Sequence, residues 1–130
     1  EIKENKLKIK SSKDVMEILM PRMRDLKKEV FKILLLNSQN SIIDIAEITE
    51  GTVNQAEPIT REIFQKALQN FAVSVICIHN HPSGNSEPSL EDKSFTKNLV
   101  QAGKVLQIKV WDHIIIGDGK HYSFADEGIL

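Results

Sequence analysis

Residues 71 to 78, Phe-Ala-Val-Ser-Val-Ile-Cys-Ile, are an apolar, largely β-branched run with almost no polar interruption. A run of this length and composition predicts a central strand buried on both faces. Such a strand needs cover above and below, and the rest of the chain supplies it. Val30 to Leu36 is a second, mostly apolar run, short enough for another buried strand. Asn37-Ser38-Gln39-Asn40 reads as a turn and Ser41 to Thr49 as the return strand of a hairpin. Further strands are expected at Val105–Val110, His113–Ile116 and His121–Phe124, with Gly117-Asp118-Gly119 as the last turn.

Helical spacing fills the intervals. Ser12 is expected to cap a helix from Lys13, with Val15, Ile18 and Leu19 on one face. Pro21 should interrupt it, with a second short helical stretch reaching about Lys28. Gly51 to Glu57 reads as a loop, and Pro58 suits the first turn of a helix carrying Ile59, Ile63, Phe64, Ala67 and Leu68. Ser89 opens another helix, with Phe95 and Leu99 inward and Gly103 closing it. Hairpins alternating with helices give an α/β sandwich around a mixed sheet. A length of 130 residues suits one compact domain with a single core.

Composition narrows the function. The apolar fraction is 41% and the charged fraction 27%, ordinary for a globular domain. No apolar run approaches the roughly 20 residues that span a bilayer, so no membrane partner is expected. The start, Glu1-Ile2-Lys3-Glu4, does not resemble a signal peptide. It lacks an initiator Met, which leads us to expect a further region upstream. Cys77 is the only cysteine, which excludes an intrachain disulfide and fits a cytoplasmic setting. Net charge is −1, against a broad nucleic-acid surface. Residues 1 to 32 nevertheless hold ten Lys/Arg against six Asp/Glu. Solvated helix faces account for that excess more simply than a phosphate-binding patch.

The chemistry concentrates in one segment, His79-Asn80-His81-Pro82-Ser83-Gly84-Asn85-Ser86-Glu87-Pro88-Ser89-Leu90-Glu91-Asp92. His79 and His81, two apart at the end of the central strand, share a face roughly 7 Å apart by strand rise. The loop turns back through Gly84 and the flanking prolines. Asp92, in the first turn of the next helix, can add an oxygen ligand. Two nitrogens and a carboxylate leave the fourth position of a zinc ion open, which is the pattern of catalytic sites rather than structural ones. Such an ion lowers the pKa of a bound water to about 7 and polarises a carbonyl. A nearby carboxylate must then move the water's proton, and Ser89 can donate to the oxyanion. Ser89 and Asp92 equally fit a helix-capping pair, and both roles can coexist. Glu87 and Glu91 are alternative oxygen ligands on spacing alone. The consecutive letters His-Asn-His, followed by proline, are not the nuclease motif of that name, whose residues are dispersed.

The pattern His-x-His-Pro-x-Gly-x4-Ser-x2-Asp resembles the JAMM (MPN+) metallopeptidase motif, matched in full by His79, His81, Ser89 and Asp92. Gly51-Thr52-Val53, Arg61-Glu62-Ile63-Phe64, Ala67-Leu68, His79 to Gly84, Asp112 to Gly117 and Tyr122 to Gly128 are similar to the RadC family. The resemblance runs from about Leu26 to Leu130. It implies a JAMM/MPN fold, akin to the cytidine-deaminase fold: a mixed sheet flanked by helices in a three-layer sandwich. Residues 1–25 would then be a basic lead-in and helix, and residues 26–130 the RadC-type domain. The resemblance also implies the base. The family's catalytic glutamate precedes the first core strand, where Glu29 stands, whereas sequence alone leaves Glu50, Glu57 and Glu62 as rivals.

These residues point to a hydrolase with one Zn2+ per chain, acting as a metallopeptidase or isopeptidase on an amide bond of unidentified substrate. Iron, nickel or manganese suit the same ligands. The alternatives are a DNA-repair-associated nucleic-acid-binding protein and a metal-stabilised interaction module without turnover. RadC proteins commonly carry a helix-hairpin-helix region ahead of this domain, so DNA contact would be expected through that region rather than through these residues. The sequence leaves oligomeric state open. His113 and His121 read as ordinary strand residues or as supports behind the ligands, Cys77 as a small core hydrophobe, and Trp111 as packing.

Overall fold

The two apolar runs become the inner strands of one sheet. The computed structural model describes residues 7–49 and 56–130, with side chains of the second helix described from Ile59 onward. In chain order the elements are α1 (Ser12–Met23), β1 (Phe31–Leu36), β2 (Ile42–Ile48), α2 (Ala56–Gln69), β3 (Ser74–Asn80), α3 (Leu90–Leu106), β4 (Lys109–Ile116) and β5 (His121–Ser123). The sheet order is β2-β1-β3-β4-β5. β3 pairs antiparallel with β1 and parallel with β4, and α3 makes the crossover that a parallel pair requires. This is the mixed, helix-flanked sheet expected from the sequence, with β3 at its centre and buried along its whole length.

Strand alternation sorts the core into two layers. Phe31, Ile33, Leu35, Val75 and Cys77 pack against Ile59, Ile63 and Phe64 of α2 and Phe95 and Leu99 of α3. Leu34, Leu36, Ile76, Ile78, Ile114 and Ile116 pack against Val15, Met16, Leu19 and Met23 of α1. Cys77 is the core hydrophobe expected: burial, with some help from the Asp112 charge, pushes its thiol up and out of reactive range.

One irregularity positions the site. Val75 pairs with Val110 but Ile76 pairs with Asp112, so Trp111 is an extra residue in β4. A bulge of this kind reverses which face later residues occupy. Val110 faces the α2/α3 layer. Beyond the bulge Ile114 and Ile116 face α1, and His113 turns toward α3, edge-on to Phe95. The sequence suggested two strands broken at residues 111–112, and the structure has one strand with its bulge there.

Six other boundaries differ from expectation. α1 runs through Pro21 to Met23, because a proline so near the helix end forfeits a single backbone bond. Its N-cap is Ser11 rather than Ser12, without a side-chain cap bond. The Asp14 carboxylate instead accepts from Lys10 N at 2.8 Å. Residues 24–28 form turns and bends instead of a second helix. α3 runs past Gly103 and ends at left-handed Gln107, φ 60°. Gly103 is there for close approach: a Cβ would sit 2.4 Å from the Ile108 carbonyl oxygen. β3 begins at Ser74, not Phe71, whose backbone is left-handed at φ 55°. Ala56 and Glu57 already belong to α2, while Gly51–Gln55 lie outside the described residues.

Asp112 ties β4 to the chain after β5. Its Oδ1 accepts from His113 N at 2.7 Å and Ala125 N at 2.9 Å, and its Oδ2 accepts from the Ser123 hydroxyl. Asp112→Ala strands three donors and should cost about 3 kcal/mol in urea denaturation, against about 1 kcal/mol for Asp112→Asn, which keeps an acceptor for the backbone.

Candidate metal centre

β3 delivers His79 fully buried onto the α2/α3 face, stacked on Phe31 with ring planes 9° apart. His81 lies one residue past the strand, and its N–H extends the ladder to Ile116 O at 2.9 Å. The loop then folds back at Gly84, φ 90°, whose carbonyl accepts from Asp118 N at 2.9 Å. Gly117 makes that contact possible, because a Cβ there would lie 2.3 Å from Gly84 O. The His81 Nδ1 meets the Asn85 carbonyl at 2.9 Å. A carbonyl only accepts, so His81 carries its proton on Nδ1 and presents a lone pair on Nε2.

Asp92 arrives by helix capping. Ser89 Oγ accepts from Asp92 N at 3.0 Å, and Asp92 Oδ2 accepts from Ser89 N at 2.9 Å, a reciprocal capping box. The same carboxylate faces both histidines: Oδ1 is 3.4 Å from His79 Nε2, and Oδ2 is 3.3 Å from His81 Nε2. The two Nε2 atoms are 3.1 Å apart, much closer than the strand rise suggested. Burial alone would raise the Asp92 carboxyl. Its contact with His79 and the bond from Ser89 N–H outweigh it and hold the group below the usual carboxylate range.

These donors fit a divalent cation. An ion with bonds of about 2.0–2.1 Å in tetrahedral array needs ligand atoms about 3.4 Å apart, close to the observed separations. Among the described residues, His79, His81 and Asp92 form a group that could hold a metal ion. Glu87 and Glu91 are exposed and are not members of that group.

Glu29 stands at the open side. Its Oε2 is 3.6 Å from His79 Nε2, and its side chain is about half exposed, 47%. Asn80, buried between the two histidines, fixes it there: Asn80 Oδ1 accepts from Val30 N at 2.7 Å, and Asn80 Nδ2 donates to Lys28 O at 2.9 Å. The clamp grips the backbone on both sides of Glu29. Of the rivals, Glu62 accepts from Thr49 N at 3.2 Å and pairs with Lys66 at 3.6 Å. Glu50 and the Glu57 side chain lie outside the described residues. Ser89 uses Oγ as an acceptor in the cap, so its hydroxyl proton is free to be donated elsewhere.

Sequence reasoning missed three contributors. Asn80 drew no role, Thr96 was not singled out, and His113 was favoured as an ordinary strand residue. His113 is fully buried behind His79, with Nε2 2.8 Å from His79 Nδ1. Burial is the main cause that pushes its pKa well down, and the Asp92 carboxylate only partly opposes it. A polar Asp-His pair inside an apolar strand was the available signal. His121 is exposed on β5. Trp111 has Lys109 Nζ 4.0 Å above its ring, a cation–π contact on the outer edge.

A family model described as RadC-like JAB domain matches residues 9–129. The chain belongs to the RadC-like JAB domain family. Among its curated relatives is a UPF0758 protein of Methanosarcina mazei, 45% identical over 129 residues, covering 99% of this chain and 56% of that protein. Another is a UPF0758 protein of Caldanaerobacter subterraneus subsp. tengcongensis, 48% identical over 120 residues, with 92% and 52% coverage. A third, from Clostridioides difficile, is 43% identical over 125 residues, with 96% and 53% coverage. The chain spans about half the length of the curated relatives it matches. The RadC-like JAB match takes in α1 together with the sheet and the whole metal centre. Among the described residues, no helix of this JAB domain is long and apolar enough to cross a membrane.

Zinc at a hundred times its Kd should stabilise the fold by about 2.7 kcal/mol, read as a rise in melting temperature that His81→Ala abolishes. Gly117→Ala should weaken zinc binding about tenfold by displacing the loop that carries His81, measured by competition with a chromophoric chelator.

Proposed function

We propose that this domain is a zinc-dependent hydrolase of JAMM type that cleaves an amide bond, as a metallopeptidase or isopeptidase. The observation that carries this reading is the position of Glu29 Oε2, 3.6 Å from the ligand-facing nitrogen of His79 on the open side of the His79–His81–Asp92 group. A divalent cation held by these three residues would polarise a substrate carbonyl and acidify a water beside it. Glu29 takes the proton of the attacking water and delivers it to the departing amine. Its partial exposure lets it reach both, and the Asn80 clamp keeps its backbone in place. Ser89 donates its hydroxyl proton as a hydrogen bond to the oxygen of the tetrahedral centre. A cytoplasmic setting and a link to DNA repair belong to the same proposal; the first draws on the lone buried thiol, the second on the RadC resemblance.

The test is a screen of linear and isopeptide-branched peptide libraries with the zinc-loaded chain, read by mass spectrometry. Cleavage should fall at least about a hundredfold in Glu29→Gln while zinc stoichiometry stays unchanged. Chelation should abolish it, and added zinc should restore it. An unaltered rate in Glu29→Gln overturns the assignment of the base. Cleavage that persists without metal overturns the hydrolase mechanism.

A further inference from the structure

Thr96 lies on α3 one turn beyond Asp92 and is buried. Its Oγ1 donates to the Asp92 carbonyl oxygen at 2.8 Å. A hydroxyl has one proton, and a carbonyl can only accept. The same Oγ1 also sits in hydrogen-bond contact with His113 Nδ1. Thr96 must therefore accept there, and His113 carries a proton on Nδ1. His113 is enclosed by the rings of Phe31, Phe95 and Phe124, an apolar cage that favours the neutral imidazole. With its one proton on Nδ1, its Nε2 is an acceptor. That nitrogen lies 2.8 Å from His79 Nδ1, so His79 must donate from Nδ1. The lone pair of His79 then lies on Nε2, facing His81 Nε2 and Asp92 Oδ1.

We propose that Thr96 and His113 are positioning residues, a directed hydrogen-bond chain running His79 → His113 → Thr96 → Asp92 carbonyl that locks His79 in its metal-binding tautomer. The chain ends on the backbone of the residue whose side chain is the third ligand. The orientation of one ligand is thereby tied to the helix turn that presents another. An isolated imidazole exchanges its proton between Nδ1 and Nε2, and only the Nδ1–H form can ligate through Nε2. Two apolar side chains of similar volume would fill the same space, whereas a buried polar chain is tolerated only when every member is satisfied, as here.

The proposal rests on the reading of His79, His81 and Asp92 as metal ligands, and two measurements separate the two. Long-range proton–nitrogen NMR on the metal-free chain reports which imidazole nitrogen carries the proton. His79, His81 and His113 should each show Nδ1–H, and Thr96→Val should shift His79 toward a mixture. Zinc competition titration then reads affinity. Thr96→Val should weaken binding ten- to hundredfold, and Thr96→Ser, which restores the hydroxyl, should recover it to within a few fold. His113→Gln, which keeps an acceptor toward His79, should bind more tightly than His113→Leu. The absence of a proton from His79 Nδ1 in the wild-type chain overturns the chain of bonds. So does wild-type affinity in Thr96→Val, or an equal loss in Thr96→Ser. Failure of the wild-type chain to bind zinc, with the tautomers as stated, overturns the metal reading alone.

Discussion

The first turn of α3 is the constraint on which the rest of the site depends. Four backbone N–H groups at a helix start need acceptors. Ser89 and Asp92 satisfy each other's N–H in this stretch, which fixes the Asp92 side chain within the turn. A carboxylate on a loop would lose rotamer freedom on binding a cation. Here that loss is already met by folding the helix. The cap therefore does two jobs with one residue: it terminates a backbone and sets an oxygen beside two imidazoles. Anything that frays the helix start also loosens that carboxylate.

The rest of the centre follows the same economy. The candidate ligands lie where the parallel pair β3 and β4 ends, outside the carboxyl ends of the strands, the place where open α/β sheets generally present their sites. The sheet's α1 face is filled with Leu, Ile, Val and Met. Its α2/α3 face carries His79 and His113, met by Asp92 and Thr96 of α3, beside the same kind of apolar packing. One layer mainly stabilises the fold. The other combines core and site, and each of its polar groups finds a partner in the next.

Much of this was legible in the sequence. The buried strand at its centre showed as an unbroken apolar run, and His79, His81 and Asp92 showed as a local pattern with metal-ligand chemistry. What failed did so for physical reasons. Gly103 looked like a helix stop, because glycine after a periodic segment usually relieves a left-handed residue. Here it relieves a collision with Ile108, and Gln107 takes the left-handed position instead. Val105 and Leu106 looked like strand, because exposed apolar residues at the end of a helix carry no local mark of exposure. Glu29 is fifty residues from His79, and only the antiparallel register of β1 on β3 brings them together. Resemblance to a family supplied what spacing could not. Asn80, Thr96 and His113 needed the register as well, since each acts on a residue far away or on the far side of a helix turn.

Trp111 gives the strand a phase. Counting along β4, every residue after it reads in the opposite frame from every residue before it. Substitution and deletion therefore have different meanings in this stretch. Replacing Trp111 would leave the frame intact. Removing it would close the bulge, setting Val110 and Asp112 in succession against Val75 and Ile76, and His113 would keep its side of the sheet. A chain one residue shorter at this point would thus show the same histidine to the same half of the molecule. A one-residue loss at Trp111 therefore marks a missing bulge and leaves the histidine where it stands.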